Sequence, residues 1–371
     1  MRLIRLGERD IVKLLAGEGA RVASGLTRVP SAVTLGSFDG LHLGHQVLIR
    51  AVLEARERLR LGMTGLFTFR HHPRDLLDPA RAPRLLTPWG EKLALLAATG
   101  IDVVVAADFC PPLQHTPYDQ FVQRFLIDLL AMRHFAAGHD VHLGEGRGGN
   151  AETLAALGRR LGYEFEMIPA LEVGGHTVSS SVLRNLITGG EVAGARALLG
   201  RPYAVWGEVG PGHARGRAIG YPTANLTPLE PHKLLPGPGV YAIRALVPEE
   251  AVGDAASGAP AGIAEPPIAP EPVREISPAL DANDDLRDPE PRAWLRHGGM
   301  LNFGRAPTFG GDEALRIEAH LFDFTGDLRG RTLKVEWLQR LREERKFGGV
   351  DELVAQLHRD EEEARQVCRA G

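Results

Sequence analysis

The chain has 371 residues, 44% of them hydrophobic and 24% charged, which is the composition of an ordinary globular protein. That composition excludes a collagenous or disulfide-stapled chain, and the length suits two domains rather than one core. Lys plus Arg is 43 against 47 Asp plus Glu, a formal charge of −4, which argues against a dedicated nucleic-acid binder while leaving room for a local phosphate site.

In chain order, MRLIRLGERD at the start has no apolar core of the kind a secretory signal needs. Ala32 to Leu35 is a short apolar, β-branched run ending at Gly36. Leu43 to Leu61 spaces Val47, Leu48, Val52 and Leu53 as a helix does. Met63 to Phe69 reads as a strand, Leu93 to Ala97 as helix, and Ile101 to Val105 as a short buried strand. Phe121 to Met132 and Glu152 to Leu161 read as helices. Strand–helix alternation predicts a parallel, doubly wound α/β sheet with ligands at the C-terminal ends of its strands. No apolar run reaches the ~20 residues that span a bilayer. Cys110 and Cys368 are too few for a disulfide framework and lack metal-ligand spacing, so a cytoplasmic protein is expected.

After about residue 200 the texture changes. Short alternating segments at Ala204 to Val209, Val240 to Leu246, Ile317 to Phe324 and Thr332 to Trp337 predict a small antiparallel barrel or sandwich. Gly348 to Arg369 closes the chain as a charged helix with Leu353, Leu357 and Ala364 on one face. Between two of the strands, Pro248 to Pro291 is rich in Pro, Ala, Asp and Glu, and reads as a disordered insertion.

Two clusters in the first half suit phosphate. Gly36-Ser-Phe-Asp-Gly-Leu-His-Leu-Gly-His45 lies where a strand turns into a helix. Gly36, Gly40 and Gly44 let backbone approach a ligand, the helix start offers N–H groups, and His42 and His45 share one end. Downstream, Ser179, Ser180 and Ser181 precede a helix carrying Arg184 one turn on. They read either as helix caps or as a second anion clamp.

In the second half, Thr223 and Asn225 alternate along an extended segment after Pro222. They suit either a turn or a pair of neutral oxygen donors to a magnesium ion that already carries phosphate oxygens. Glu318 sits in the apolar run Ile317 to Phe324 and shares a face with His320. It reads as an outward-facing glutamate or as a base whose pKa an apolar surround would raise.

The pattern G-x-F-D-G-x-H-x-G-H with S-S-x-x-x-R resembles the nucleotidyltransferase superfamily, whose members transfer AMP or CMP from a nucleoside triphosphate. Gly216-Arg-Ala-Ile-Gly-Tyr-Pro-Thr-Ala-Asn225, Gly239-Val-Tyr241, Asn302-Phe-Gly-Arg-Ala-Pro-Thr308 and Ile317-Glu-Ala-His-Leu-Phe-Asp-Phe324 follow in order. Together they resemble the bacterial bifunctional riboflavin kinase/FMN adenylyltransferases. The resemblance implies a Rossmann-like nucleotidyltransferase domain over residues 1–187. It implies an antiparallel β-barrel kinase domain with a C-terminal helix over residues 188–371, carrying the 248–291 insertion. The barrel would phosphorylate riboflavin to FMN, and the first domain would adenylylate FMN to FAD, with ATP as co-substrate of both and Mg2+ as the metal. His42, His45 and Glu318 would be catalytic, Glu318 as the base. Phe38, Asp39, the three glycines of the turn, the serines and Arg184 would bind nucleotide, as would the Gly216-Arg217-Gly220 flap. Asp140 and Asn150 would meet flavin, and Thr223 and Asn225 the metal. Riboflavin, FMN, FAD and ATP are the expected partners, with no nucleic acid or membrane, for a monomer or weak homo-oligomer. One stretch departs from the family pattern: Gly138-His-Asp-Val-His-Leu-Gly144 has Val141 and Leu143 where relatives carry phenylalanines. A kinase with weak adenylyltransferase and a non-catalytic flavin binder therefore stay open beside the bifunctional reading.

Overall fold

Val103–Ala107 is Val-Val-Val-Ala-Ala, and every residue in it is buried. A strand with no polar face must be covered on both sides, as in the middle of a parallel sheet flanked by helices. The computed structural model shows that sheet and describes residues 1–18, 29–211, 216, 219–251, 274–275, 294–307 and 313–370. Its strands are β1 (Arg2–Leu6), β2 (Ser31–Leu35), β3 (Met63–Phe69), β4 (Val103–Ala107), β5 (Met132–Gly138) and β6 (Glu164–Ile168). They run parallel in the order β1–β4–β3–β2–β5–β6, and the two-residue strand Arg274–Glu275 adds to β1 at the edge. Helices α1 (Glu8–Leu15), α2 (Leu43–Arg58), α3 (Trp89–Ala97) and α4 (Ala151–Leu161) belong to the same unit. Beyond β2 the chain steps one way to β3 and β4, then returns to the other side of β2 as β5. The crevice between the C-terminal ends of β2 and β5 is thus the switch point at which such sheets bind ligands.

The elements differ from the sequence expectation at several places, among them β5 and β6, for which no strand is expected. β1 and α1 were not foreseen, because Arg2 and Arg5 interrupt the apolar pattern of Leu3, Ile4 and Leu6, all of which are buried. The helix expected to run to Met132 instead ends as a π-helical stretch, Val122–Asp128, and Met132 opens β5. Ala131, at φ 52, is incompatible with a continued helix. The Gly138–Gly144 motif follows β5.

A second compact unit begins at Ser180. Helices α5 (Ser180–Thr188) and α6 (Val192–Leu199) precede a closed antiparallel barrel. Its strands are β7 (Tyr203–Gly210), β8 (Ala224–Pro228), β9 (Gly239–Pro248), β10 (Trp294–Pro307), β11 (Glu313–Leu321) and β12 (Thr332–Arg342), joined around the barrel as β8–β11–β10–β9–β12–β7. Inside, the Tyr241 and Trp337 rings meet edge to face at 4.7 Å, and both are fully buried. The C-terminal helix α7 (Val350–Ala370) lays Ala364 against Tyr221, Met300 and Phe322 on the outside of the barrel. Arg342 fastens that helix to β12 by gripping the buried Asp360 carboxylate at 2.7 and 3.0 Å. The 248–291 insertion, expected to be disordered, lies outside the described residues except at 248–251 and 274–275, and there it is ordered instead: Pro248 closes β9 opposite Trp294 of β10, 249–251 form a short turn of helix, and Arg274–Glu275 pair with β1.

Candidate active sites

The turn after β2 is built from backbone that side chains resist. Phe38, Gly40 and Leu41 take φ values of 50, 92 and 38, and the two non-glycine residues there are strained by about 1–2 kcal/mol each. Phe38 is fully buried, with its ring tilted against His45 at 5.0 Å. The Asp39 carboxylate accepts from Leu86 N (3.1 Å), Thr87 N (2.9 Å) and Thr87 Oγ1 (3.3 Å), and Gly40 N donates to Thr87 Oγ1 at 2.8 Å. Asp39, 2% exposed, thus holds the turn to the loop before α3.

His42 is the N-cap of α2, and its Nδ1 accepts from His45 N at 3.3 Å. That bond places the proton of the neutral ring on Nε2. The His42 and His45 rings stack with centroids 3.7 Å apart and planes 14° from parallel. Gly44 allows this, since a Cβ there would stand 3.2 Å from the His42 ring. The sequence-predicted pair is therefore brought together at a helix N-terminus, where N–H groups and the helix dipole favour an anion.

Other first-half candidates are placed as follows. Asp140 is exposed just past β5, on the other side of the switch point. Asn150 caps α4, its Oδ1 accepting from Thr153 N at 3.0 Å, which accounts for the residue without a ligand. Leu143 is 6% exposed within the main core, and Val141 is packed against the same cluster, so both aliphatics fill core volume. Ser179 ends the first unit, while Ser180, Ser181 and Arg184 lie on the opening turns of α5 in the second.

On the barrel, strand register does the assembling. Asn225 of β8 stands opposite Glu318 of β11, and Glu318 opposite Asn302 of β10. Residues directly opposed across strands point to the same face with Cβ atoms about 5 Å apart. The three side chains therefore form one row. Ile317, Ala319 and Leu321 are buried in the barrel, while Glu318 and His320 are half-exposed on the other face. Of the two placements the sequence leaves open for Glu318, the structure has the outward one, set by the alternation of β11. Asn302 Nδ2 donates to Glu344 Oε1 at 3.2 Å, and the Glu344 carboxylate occupies the space that a side chain at Gly304 would fill.

The segment leading to the row is pinned from two sides. His320 Nδ1 lies 2.8 Å from the Pro222 carbonyl oxygen. The Tyr221 hydroxyl bonds His358 Nδ1 at 2.9 Å and donates to Glu361 at 3.0 Å, both on α7. Burial, then the Glu361 carboxylate, pushes the Tyr221 hydroxyl up to about 12. Thr223 is exposed beside this anchor, Gly216 accepts from Tyr221 N at 2.8 Å, and Gly220 takes φ 85. Arg217 lies outside the described residues. Sequence reasoning missed Glu344 and the anchoring pair His358 and Glu361. Their only signal, helical spacing of His358 and Glu361, does not say what they touch.

A histidine-bearing turn at the switch point of a parallel sheet, followed by a closed barrel with an oxygen-rich external row, defines a two-domain transferase that works on nucleotides. The FAD synthetase family model matches residues 27–182 and the riboflavin kinase model residues 199–368. The chain is 31% identical over 342 residues to the bifunctional riboflavin kinase/FMN adenylyltransferase of Listeria monocytogenes, covering 91% of this chain and 93% of that protein. It is 30% identical to the Escherichia coli K12 enzyme of that name, covering 90% and 91%. A crystal structure of a Streptococcus pneumoniae protein described as a macrolide-efflux protein matches with a TM-score of 0.75 and 27% identity, over 98% of this chain and 99% of that one. Among the described residues of this chain no helix is long and apolar enough to cross a membrane. The chain belongs to the bifunctional riboflavin kinase/FMN adenylyltransferase family, and it makes FMN from riboflavin and FAD from FMN.

Proposed function

We propose that the two reactions are divided between the two halves, at about residues 187/188, with the following residue roles. In the barrel, Glu318 is the general base that takes the proton from the terminal ribityl hydroxyl as that oxygen attacks the γ-phosphorus of ATP and ADP leaves with the bridging oxygen. The cross-strand row carries this reading, because it sets the one carboxylate of β11's outer face beside the Asn225 carboxamide. Thr223 and Asn225 offer neutral oxygens of the kind Mg2+ accepts beside phosphate, and the metal would supply charge neutralisation on the transferring phosphoryl group. Gly216, Arg217 and Gly220 form the phosphate flap. Asn302, held by Glu344, keeps the row ordered.

In the sheet domain, a phosphate oxygen of FMN attacks the α-phosphorus of ATP and pyrophosphate leaves. No covalent enzyme group is needed; alignment and donors to the crowded α-phosphate suffice. His42, through Nε2–H, His45 and the N–H groups of the 36–45 turn supply them, with Phe38 and Asp39 shaping the turn from behind. Ser179, at the end of the first unit, and Ser180, Ser181 and Arg184, on α5 of the second, are assigned to nucleotide binding on residue type and helix position. Asp140 is assigned to the flavin side, with Asn150 ordering the neighbouring helix start. The core packing of Val141 and Leu143 supports full adenylyltransferase activity over the weakened alternative. The enzyme is read as a cytoplasmic monomer or weak homo-oligomer without nucleic-acid or membrane partners; the charge of −4 supports the lack of a nucleic-acid partner. Incubation with riboflavin, ATP and Mg2+, with chromatographic separation of FMN and FAD, tests the assignment. Wild type should form both, and variants in each half should stop only the matching step.

A further inference from the structure

Lys92, on α3, is 6% exposed, and its ammonium donates to two main-chain carbonyls: Ser37 O at 3.0 Å and Phe69 O at 2.8 Å. Phe69 ends β3, and Ser37 begins the strained turn that follows the neighbouring β2. One ammonium thus rivets the C-terminal ends of two adjacent strands just before Phe38 enters the left-handed region. Ser37 O also accepts from Thr68 Oγ1 at 3.2 Å, so this carbonyl is fixed from two directions. The Trp89 ring lies 5.4 Å from the ammonium, and the charged or titratable groups lining the same recess are Asp39, Arg70, His71 and His72.

Burying an ammonium costs several kcal/mol, which paired carbonyls and a nearby carboxylate offset only in good geometry. A methionine would fill the same space without that cost. The reaction as assigned gives Lys92 no substrate to touch. What it does touch is a turn whose left-handed residues persist only while the surroundings over-determine them. We propose that Lys92 is a positioning residue for adenylyl transfer, fixing the Ser37 carbonyl so that the 36–45 turn presents His42, His45 and its N–H groups in the geometry of the transition state. The inference rests on the reading of that turn as the ATP site. Burial also lowers the Lys92 ammonium to about 8, with Asp39 opposing the shift, so the rivet weakens as the proton leaves.

The test uses the full-length enzyme and its two activities. Lys92→Met should lower kcat for FAD formation by about 10- to 100-fold, the effect of a misplacement of about 1 Å. The KM for ATP should stay within about threefold, and FMN formation within about twofold. Lys92→Arg keeps the charge and donors and should recover most of the loss. A Lys92→Met enzyme with normal kcat overturns the proposal. So does a loss confined to KM, or an equal loss of FMN formation. Should Lys92→Met not fold, Lys92→Arg decides. Its FAD-forming kcat should stay level between about pH 7 and about pH 9, where the parent's falls, and identical profiles overturn the proposal. His45→Ala, measured alongside, separates the two readings. If it abolishes FAD formation while Lys92→Met does not, only the role of Lys92 fails. If neither variant affects FAD formation, the assignment of the turn fails as well.

Discussion

Asp39→Ala gives the sharpest test of how the adenylyltransferase turn is held. The carboxylate accepts three bonds, from Leu86 N, Thr87 N and Thr87 Oγ1, in a site where Asp39 is 2% exposed. Removing it leaves two buried backbone N–H groups unmet, at about 1–3 kcal/mol each, and takes from the Lys92 ammonium a carboxylate that favours its charge. The two N–H groups together cost about 2–6 kcal/mol. For a domain of this size each kcal/mol moves the midpoint by about 2–4 °C, so the sheet domain should melt roughly 4–24 °C lower. Asp39→Asn keeps one acceptor oxygen and should fall about halfway. Differential scanning calorimetry would follow the melting, with FAD and FMN formation assayed below the transition. FAD formation should drop because Gly40 and Leu41 lose their register, while FMN formation continues. A melt within about 2 °C of wild type, with full FAD formation, would refute the argument that Asp39 holds the turn.

Four further expectations follow from the two sites. His42→Ala or His45→Ala should lower FAD formation about 10²-fold, read by product chromatography, with FMN formation nearly unchanged. Glu318→Gln should reduce riboflavin phosphorylation about 10²–10⁴-fold without weakening ATP binding, whereas Asn225→Ala or Thr223→Ala should raise the Mg2+ requirement and be partly rescued by added metal in a magnesium titration. Replacing residues 252–291 by a short turn removes the edge strand Arg274–Glu275 as well as loop, and should leave both activities within a few-fold in the same assays, since that strand is only two residues at the sheet edge and closure entropy varies only logarithmically with length. The depressed Lys92 pKa gives a pH dependence of stability: the unfolded chain keeps this proton to its ordinary value of 10.5 while the folded one releases it near 8. Over that window wild type should gain thermal stability relative to Lys92→Met as pH rises, and a constant gap in melting temperature would show that the group does not titrate there.

Much of this was legible in the sequence because local chemistry dictates it. Alternating strand and helix periods gave the parallel sheet, and the glycine–histidine turn and the Pro222–Asn225 segment marked both candidate sites. What escaped depends on partners distant in sequence. Arg2 and Arg5 hid β1, whose burial comes from pairing with β4 about a hundred residues on. Nothing near Glu344 says that its carboxylate will lie over Gly304, or that Tyr221 will bond to α7. The sequence leaves Glu318 open between an outward face and an apolar surround, because an apolar run does not reveal which face of a strand looks inward until the barrel closes.

The register of β8, β11 and β10 makes the proposed kinase row and the barrel core two readings of one count. Ile317, Ala319 and Leu321 fall on even intervals, Glu318 and His320 on the odd ones. Deleting a single residue within β11 would exchange them, driving a carboxylate into the interior and a leucine to the outer face. Loss of chemistry and loss of core would arrive together, so such deletions cannot be inherited as partial defects. Length changes in this half of the molecule are then confined to the connections between strands, and any relative aligned to it must keep the parity of these three strands even where few of their residues match.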